Sequence, residues 1–247
     1  MKKLLLLLVP LVIALPIFAG EGACPATWGY ESDNGPDRWA QMETAWAACD
    51  GKQQSPIDLG SARKLEVPAL KIDFHDAPLI LQNTGHDLKV PVGAGGVMFG
   101  TQTAMLQQFH FHVKSEHTVN GDQAAGEIHI VSETRDKKLV VIGVLIDEGD
   151  ENEALKTILA LRPEADCTSR KALKPNFNAM ALLPKSTANF FTYSGSLTTP
   201  ACDEIVTWVV MRDHIQASRK QLDDLKVHHE NARPVQPPGT RTVRKNF

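Results

Sequence analysis

Two short segments of the sequence combine the residue types and the spacing of a metal site. Gln-Phe-His-Phe-His begins at Gln108, and Glu-Ile-His begins at Glu127. Successive side chains of a β-strand point to opposite faces, so His110 and His112 share one face of a predicted strand with Gln108. The same rule places Glu127 and His129 on one face of a second strand. If the two strands are neighbours, three imidazoles meet with a fourth position open, which is the ligand set of a catalytic rather than a structural zinc site.

Polar side chains beside these histidines supply the outer contacts that a metal site requires. A metal-bound imidazole needs a hydrogen bond on its other nitrogen to fix its tautomer and orientation. Gln108 and Glu127 each lie two residues from a candidate ligand, on the same strand face. The alternative, buried histidines paired with sheet neighbours, suffices for a lone His-x-His. It leaves a third histidine with its own carboxylate unexplained, so the sequence favours the metal site.

The elements that must position these residues are predicted to be mainly β-strands. Short segments with period-two alternation, separated by turns such as Asn120-Gly121-Asp122, outnumber helical ones. The predicted strands cover residues 87–92, 105–113, 127–133, 139–146 and 204–211. Helical patterns cover residues 36–48 and 151–161. Residues 93–96 lack the Lys-Ser/Thr ending of a phosphate loop, so their glycines predict a hairpin turn.

Length and charge exclude several classes of protein. The chain has 247 residues, 43% of them hydrophobic and 22% charged, and a formal net charge of -3. This is the composition of a globular protein, and the charge balance gives no reason to expect a nucleic-acid partner. No repeat, long charge block or low-complexity linker divides the chain. We therefore predict one domain over residues 24–247.

The first residues differ from the rest in composition. Lys2 and Lys3 precede an uncharged run of 16 residues that ends at Ala19 and contains two prolines. This pattern predicts a secretory signal peptide over residues 1–19, with cleavage near residues 19–23. The run is too short for a membrane anchor, which needs about 18 or more apolar residues. We therefore expect a periplasmic or secreted protein that has no membrane association after cleavage.

Export determines how the four cysteines are interpreted. An oxidising compartment and an even number of cysteines favour disulfides over free thiols. Three pairings are open to Cys24, Cys49, Cys167 and Cys202. None of the four forms a Cys-x-x-Cys motif, which argues against a redox motif or a thiolate zinc site.

Beyond these patterns, the chain resembles an α-class carbonic anhydrase of the exported bacterial kind. The resemblance rests on short strings, such as Gln-Ser-Pro-Ile-Asp and Ser-Leu-Thr-Thr-Pro, whose order and mutual spacing together are highly specific. It covers nearly the whole mature chain. The matching strings are residues 28–30, 34–36, 54–58, 85–86, 108–112, 115–119, 127–129, 196–200, 206–208 and 231–234.

The resemblance implies a fold, a metal and a reaction. The expected fold is mainly β (α+β), a large central twisted sheet of about ten mostly antiparallel strands with short peripheral helices. His110, His112 and His129 are expected to hold Zn²⁺, with Asn231 among their outer contacts. The implied reaction is the reversible hydration of carbon dioxide to bicarbonate and a proton, by attack of a zinc-bound hydroxide. Exported bacterial members often form dimers, so a homodimer is one expected assembly, although no sequence feature identifies its interface.

The resemblance also assigns roles to residues around the metal. Thr198 is expected to accept a hydrogen bond from the hydroxide and to donate its own hydroxyl hydrogen to Glu116, which orients the nucleophile. Thr199 is expected to contribute to bicarbonate binding. Carbon dioxide has no net dipole, so the wall of its pocket should be apolar. The matching wall residues are Val131, Val141, Leu197, Val206 and Trp208.

His86 is expected to carry the product proton away. An imidazole titrates near neutral pH, so it can both take and give a proton there. By resemblance, His86 occupies the position of the proton shuttle, and Tyr30 helps to order the intervening water. Thr84, Asp87 and Lys89 depart from familiar versions of the family, adding polarity and charge near this position.

One disulfide is also implied by the resemblance. In exported members, the cysteine at the place of Cys202 pairs with the one at the place of Cys49. The bond is expected to tether the loop of residues 197–200, which bears catalytic groups. Cys24 and Cys167 then pair by elimination, remain free or join subunits.

Two other functions fit part of the sequence. The pattern His110-x-His112-x-x-x-Glu116 also satisfies the first metal motif of a cupin oxygenase or isomerase, in which Glu116 would bind iron or manganese. A cupin, however, needs glycines and a downstream histidine at spacings that this sequence lacks. A non-catalytic binding module that keeps the fold would usually have lost a zinc histidine, and all three are present.

Overall fold

Short β-strands dominate the computed structural model, which describes residues 28–247 except the side chains of residues 173–175. Within these residues the strands, in chain order, are β1 (Arg63–Lys64), β2 (Leu70–Phe74), β3 (Ala77–Asn83), β4 (Leu88–Pro91), β5 (Gly95–Phe99), β6 (Gln102–His112), β7 (Thr118–Val119), β8 (Asp122–Gln123), β9 (Gly126–Thr134), β10 (Leu139–Glu148), β11 (Thr168–Phe177), β12 (Phe190–Gly195), β13 (Val206–Met211), β14 (Ile215–Ala217) and β15 (Arg244–Lys245). The predicted signal peptide, residues 1–19, lies outside the described residues.

The helices are short and lie between the strands. The α-helices of the same part of the chain are α1 (Trp39–Met42), α2 (Glu153–Leu159) and α3 (Arg219–Leu225). Short 3₁₀ helices cover Thr44–Asp50 and Ala179–Leu182. From residue 28 onward, the structure contains no helix with the length and apolar character needed to cross a membrane.

One large sheet joins thirteen of the described strands. Its main path has the order β1-β15-β12-β13-β10-β9-β6-β4-β3-β11, while β14 pairs with β10, and β5 pairs with β2 and β6. Among these strands, the parallel pairs are β1 with β15, and β10 with both β13 and β14. The expected fold, a large, mostly antiparallel sheet with a few short helices, is therefore confirmed.

Alternating burial along the strands separates two apolar clusters. Phe109 and Phe111 of β6 are fully buried in the larger cluster, which places His110 and His112 on the opposite face of the strand. Complete burial of a phenylalanine side chain contributes about 1.5–3 kcal/mol, so these two residues hold β6 in this orientation. The smaller cluster includes Val131 of the neighbouring strand β9.

A bulge in β6 determines which residues share the histidine face. The register with β9 shifts between Leu106 and Gln108, and Gln107, between them, is exposed. Leu106 is therefore buried in the same cluster as Phe109, although the two are three positions apart and strict alternation would place them on opposite faces. Strict alternation would have placed Leu106 on the face of Gln108, away from the cluster that contains Phe109.

The single helix predicted over residues 36–48 is wrong. Helix α1 has four residues, Glu43 after it is extended, and a 3₁₀ helix follows. Tertiary contacts fix one residue on each side of the break. Trp39 is fully buried before it, and Cys49 after it is bonded to Cys202. The chain between them follows this packing rather than its helical propensity.

Two other local predictions are confirmed. Helix α2 forms within residues 151–161, and the side chain of Asn152 caps it by accepting backbone hydrogen bonds. Asn120 and Gly121 connect β7 to β8 with φ values of 54° and 84°. Asparagine and glycine tolerate this left-handed conformation, which suits a tight hairpin.

Residues 93–96 do not form the predicted hairpin turn. β4 and β5 both pair with β6, so the connection continues along one strand instead of reversing. Gly95 has a φ of 85°, and a Cβ atom there would collide with the backbone carbonyl oxygen of Asp73 on β2. The glycine is therefore needed for the close approach of β2 and not for a chain reversal.

The expected disulfide between Cys49 and Cys202 is present, with Cα atoms 4.9 Å apart. It joins the 3₁₀ helix after α1 to the loop before β13. Both cysteines are buried. Cys24 lies outside the described residues, so its pairing with Cys167 stays a prediction.

Candidate metal centre

The three predicted histidine ligands converge at the centre of the sheet. β6 and β9 pair antiparallel with His110 directly opposite His129, and His112 follows on the same face of β6. The three distances between their ring centroids are 5.0, 5.2 and 4.5 Å. One nitrogen from each ring lies within 4.8 Å of the other two. The rings therefore offer a set of three nitrogen ligands.

Neighbouring side chains hydrogen-bond two of these histidines through the ring nitrogen that points away from the candidate metal position. Nδ1 of His110 lies 2.9 Å from Oε1 of Gln108. Nε2 of His129 lies 3.0 Å from Oε1 of Glu127. Because each amide or carboxylate oxygen accepts a hydrogen, these contacts leave Nε2 of His110 and Nδ1 of His129 as lone-pair donors.

Asn231 holds the third histidine through its backbone. Its carbonyl oxygen accepts a hydrogen bond from Nδ1 of His112 at 2.8 Å. Its side-chain oxygen accepts a hydrogen bond from the backbone N–H of Val113. Its amide group donates hydrogen bonds to the carbonyl oxygens of Phe111 and His86. Nε2 of His112 is buried without a hydrogen-bond partner in residues 28–247, which is what a ligand atom requires.

Burial keeps the three imidazoles in the form that binds a metal. Removal from water lowers the pKa of His110 well below the usual histidine value, and it also lowers the pKa of His112 and of His129. A neutral imidazole presents a lone pair to a metal, whereas a protonated one does not. Three neutral nitrogens with one ligand atom left unpaired fit Zn²⁺.

Glu127 connects the ligands to His117, a buried histidine with no predicted role. Oε1 of Glu127 lies 2.7 Å from Nδ1 of His117. Oε2 of Glu127 accepts hydrogen bonds from the backbone N–H groups of Glu116 and His117, both at 2.9 Å. Burial acts to raise the pKa of Glu127, but His117 and His129 outweigh it and hold this pKa well below the usual value. His117, Glu127 and His129 therefore form a hydrogen-bonded cluster rather than a second metal site.

His117 extends this network to residues that are distant in sequence. Its Nε2 lies 2.7 Å from the hydroxyl oxygen of Tyr193, which in turn lies 3.0 Å from that of Ser55. All three side chains are buried. Ser55 and His117 belong to strings that carry the family resemblance, whereas no sequence signal marks Tyr193. Pairing between strands far apart in the chain brings the three together.

Glu116 is fully buried next to the ligand nitrogens. Its Oε2 lies 3.6 Å from Nε2 of His112 and 3.8 Å from Nδ1 of His129, while its Oε1 accepts the backbone N–H of Arg233 at 2.8 Å. Burial raises the pKa of Glu116 to about 7, against lowering by His129, the Thr198 hydroxyl and the Arg233 N–H. The fold thus brings Thr198 and Glu116 together, with Glu116 outside the group of three candidate ligands.

His110 and His129 face a cavity of about 210 Å³. Its apolar lining consists of Val131, Val141, Leu197 and Trp208. Its other lining residues are His110, His129, Gln108, Asp87, Lys89, Thr198 and Thr199. Val206, the fifth predicted wall residue, is buried in the apolar cluster behind this wall and does not line the cavity. An apolar wall beside a polar centre suits a small nonpolar substrate.

His86 lies in a neighbouring cavity of about 170 Å³, which Tyr30 and Asn231 also line. Its ring stacks on that of Trp28, with the centroids 3.8 Å apart and the planes 13° from parallel. Burial lowers the pKa of His86 below the usual histidine value, although the charge of Asp87 acts to raise it. At neutral pH His86 is therefore an unprotonated imidazole, able to accept a proton.

The loop after β12 is tied to the disulfide and to a buried arginine. The backbone N–H of Cys202 donates to the carbonyl oxygen of Thr199 at 2.9 Å, and Nε2 of Gln54 donates to that of Cys202 at 3.1 Å. The guanidinium of Arg233 donates to Oε1 of Gln54 and to the carbonyl oxygen of Cys49. These contacts hold the threonine loop against the body of the protein.

Comparisons with known proteins agree with this geometry. The family model for the eukaryotic-type carbonic anhydrase matches residues 34–247. The carbonic anhydrase of Pectobacterium atrosepticum is 33% identical to this chain, and the match covers 92% of this chain and 93% of that protein. The carbonic anhydrase of Neisseria gonorrhoeae is 34% identical, and the match covers 87% of this chain and 86% of that protein. The solved structure of the α-carbonic anhydrase from Thermovibrio ammonificans with the inhibitor sulfanilamide is 35% identical, with a TM-score of 0.84, covering 88% of this chain and 98% of that one.

Proposed function

The chain belongs to the α-class carbonic anhydrase family, and from this premise we propose that it hydrates carbon dioxide reversibly to bicarbonate and a proton, with Zn²⁺ held by His110, His112 and His129. The observation that carries the proposal is the set of three converging imidazoles, each with an outer partner and one nitrogen turned to a common point. When bound, zinc supplies a Lewis acid that activates water, a chemistry of which carbonic anhydrases are the standard example. Family membership excludes the cupin alternative.

Glu116 and Thr198 orient the reacting water. A divalent cation at the histidines favours the ionised form of the buried Glu116 carboxylate. The Thr198 hydroxyl then donates its hydrogen to Glu116, and its oxygen is left as an acceptor. A water molecule in the cavity must donate one hydrogen to Thr198, so a lone pair of the water is directed toward the substrate.

The apolar lining receives carbon dioxide, and the polar lining receives the product. This side of the cavity is lined by residues that offer water no hydrogen bond, namely Val131, Val141, Leu197 and Trp208. An uncharged molecule without a dipole can therefore occupy it. Thr199 lines the same cavity and supplies a hydroxyl to bicarbonate. Substrate and product are thus distinguished by polarity within one cavity.

His86 transfers the product proton to solvent, and its replacement by alanine is expected to slow turnover. Because His86 stacks on Trp28 outside the zinc cavity, the proton reaches it through water, which the Tyr30 hydroxyl helps to order. We expect His86→Ala to lower kcat roughly 10- to 100-fold in dilute buffer, since the other two histidines of its cavity, His228 and His229, are paired with Asp166 and Glu31. The value of kcat/KM, which reports the carbon dioxide step, should stay unchanged.

Stopped-flow hydration assays at increasing concentrations of imidazole buffer measure this effect. Added imidazole should restore kcat by accepting the proton directly. His75→Ala is the matched control, because His75 is an exposed histidine paired with Asp73 and lines neither cavity. An equal loss in kcat/KM, or a loss that imidazole does not reverse, would exclude a shuttle role for His86.

We also propose that the protein is exported to the periplasm or the cell exterior. The Cys49–Cys202 disulfide supports this location, because such bonds persist in oxidising compartments. The two lysines and the uncharged run within residues 1–19 support it independently.

The decisive experiment for the reaction is stopped-flow hydration of carbon dioxide by the purified mature protein, with zinc counted in the same sample. We expect one zinc per chain and hydration that a chelator removes and added zinc restores. Stoichiometric zinc without hydration would favour a binding module, and iron or manganese in place of zinc would contradict the proposed metal.

A further inference from the structure

Lys89 brings a positive charge into the cavity that the zinc site faces. On β4, Lys89 is the register partner of His110 on β6, and the side chains of such partners emerge side by side, with Cβ atoms about 5 Å apart. Leu88 and Val90 point to the other face and are buried in the core. Lys89 is half-buried and lines the cavity together with Thr199. Strand geometry, not a flexible loop, therefore holds this side chain near the metal position.

The charge of Lys89 is not neutralised by an ion pair. Within residues 28–247, no carboxylate oxygen lies within 4.0 Å of its ammonium nitrogen. Asp87 is the other charged residue of the described cavity lining, and its carboxylate accepts a hydrogen bond from the Thr84 hydroxyl. Glu116 and Glu127 are buried behind the histidines and accept backbone N–H groups. Lys89 is thus available to a mobile anion in the cavity.

We propose that Lys89 is a specificity-determining residue that recruits small monovalent anions, bicarbonate among them, to the metal centre. The inference rests on the proposed function and deepens its product side. A unit charge about 6 Å from an anion changes the anion's binding constant about threefold when water screens the pair, and by more where the cavity is less polar. Carbon dioxide is uncharged, so its own binding does not gain from Lys89.

We expect Lys89 to change the affinity for anions and not the kcat/KM for carbon dioxide hydration. The ratio of kcat/KM for hydration to kcat/KM for dehydration is set by the equilibrium of the reaction, which no residue alters. If Lys89 stabilises bound bicarbonate and not the transition state, kcat/KM is preserved in both directions, and KM and kcat for dehydration fall together. Parallel changes in KM and kcat, with kcat/KM preserved, distinguish anion recruitment from a general structural defect, which would lower kcat/KM.

Cobalt-substituted protein provides a direct measurement, because the visible absorption of cobalt changes when an anion binds. Thiocyanate is titrated at one pH and low ionic strength into the wild type and the variants. We expect Lys89→Gln to raise the Kd for thiocyanate about three- to tenfold, and Lys89→Arg to stay within about twofold of the wild type. Asp87→Asn, which removes the opposing charge, should lower the Kd. The difference should shrink in 0.5 M salt, where the Debye length is only about 4 Å.

Lys71→Gln is the matched control, because it removes an exposed lysine of β2 that does not line the cavity. One cobalt per chain and unchanged circular dichroism show that each variant is folded. Equal thiocyanate affinity in Lys89→Gln and the wild type, or an equal loss in Lys89→Arg, would overturn the role of Lys89. If Lys89→Gln did not fold, an unchanged Kd in Asp87→Asn would overturn it. Failure of the wild type to bind metal or to hydrate carbon dioxide would instead overturn the proposed function.

Discussion

Replacing His129 with alanine is expected to abolish zinc binding and carbon dioxide hydration together. The change removes one of three ligand nitrogens, and it leaves the buried carboxylate of Glu127 without the partner that lies 3.0 Å away. Loss of an outer partner of a metal-bound histidine typically costs about 10- to 100-fold in metal affinity or activity, so loss of the ligand itself should exceed that range. Zinc counted per chain after dialysis, together with stopped-flow hydration, measures both effects.

Two further variants make this prediction specific. His214→Ala is the matched control, because His214 pairs with Asp147 at the surface and does not line the cavity. Glu127→Gln should give an intermediate result, with zinc affinity reduced about 10- to 100-fold. A His129→Ala protein that kept one tightly bound zinc per chain would show that His129 is not a ligand.

Replacing Thr198 with alanine is expected to preserve zinc and to lower kcat/KM about 100-fold. The variant keeps all three ligand nitrogens but loses the hydroxyl that joins the reacting water to Glu116, so the lone pair of the water is no longer directed. Glu116→Gln should cause a comparable loss, because an amide cannot fix the hydroxyl in the same orientation. The double variant should be little worse than either single one, since the two residues act as a unit.

Zinc content and stopped-flow kinetics of the four proteins test this coupling. Thr157→Ala, at an exposed position of α2, is the matched control for the loss of a threonine hydroxyl. Losses that multiplied in the double variant would indicate independent roles for Glu116 and Thr198. Loss of zinc in Glu116→Gln would identify that carboxylate as a ligand, contrary to the proposed arrangement.

The strands and the shared face of two candidate ligands, His110 and His112, could be determined from the sequence by itself. Period-two alternation depends only on adjacent residues, so Phe109 and Phe111 direct His110 and His112 to the opposite face of β6. The cap of α2 and the turn between β7 and β8 are signals of equally short range. The family was also identifiable, because many short strings match in order, and the family model confirms it.

Only the tertiary structure decided where the groups meet. His129 stands opposite His110 because β6 and β9 pair in one register, and a slip of one residue would turn His129 to the other face. The resemblance implied Asn231 as an outer contact, but only the structure shows that its backbone oxygen holds His112, 119 residues away. The contact between His117 and Tyr193 likewise depends on strand pairing across 76 residues.

The local expectations that failed have the same physical cause. The helix over residues 36–48 is interrupted because Trp39 is buried and Cys49 is bonded to Cys202. Residues 93–96 do not reverse the chain, because β4 and β5 on either side of them both pair with β6. Residue types and short-range periodicity therefore determine which chemistry is available. Burial and pairing between distant segments, whose free energies exceed local propensities, determine the distances at which that chemistry operates.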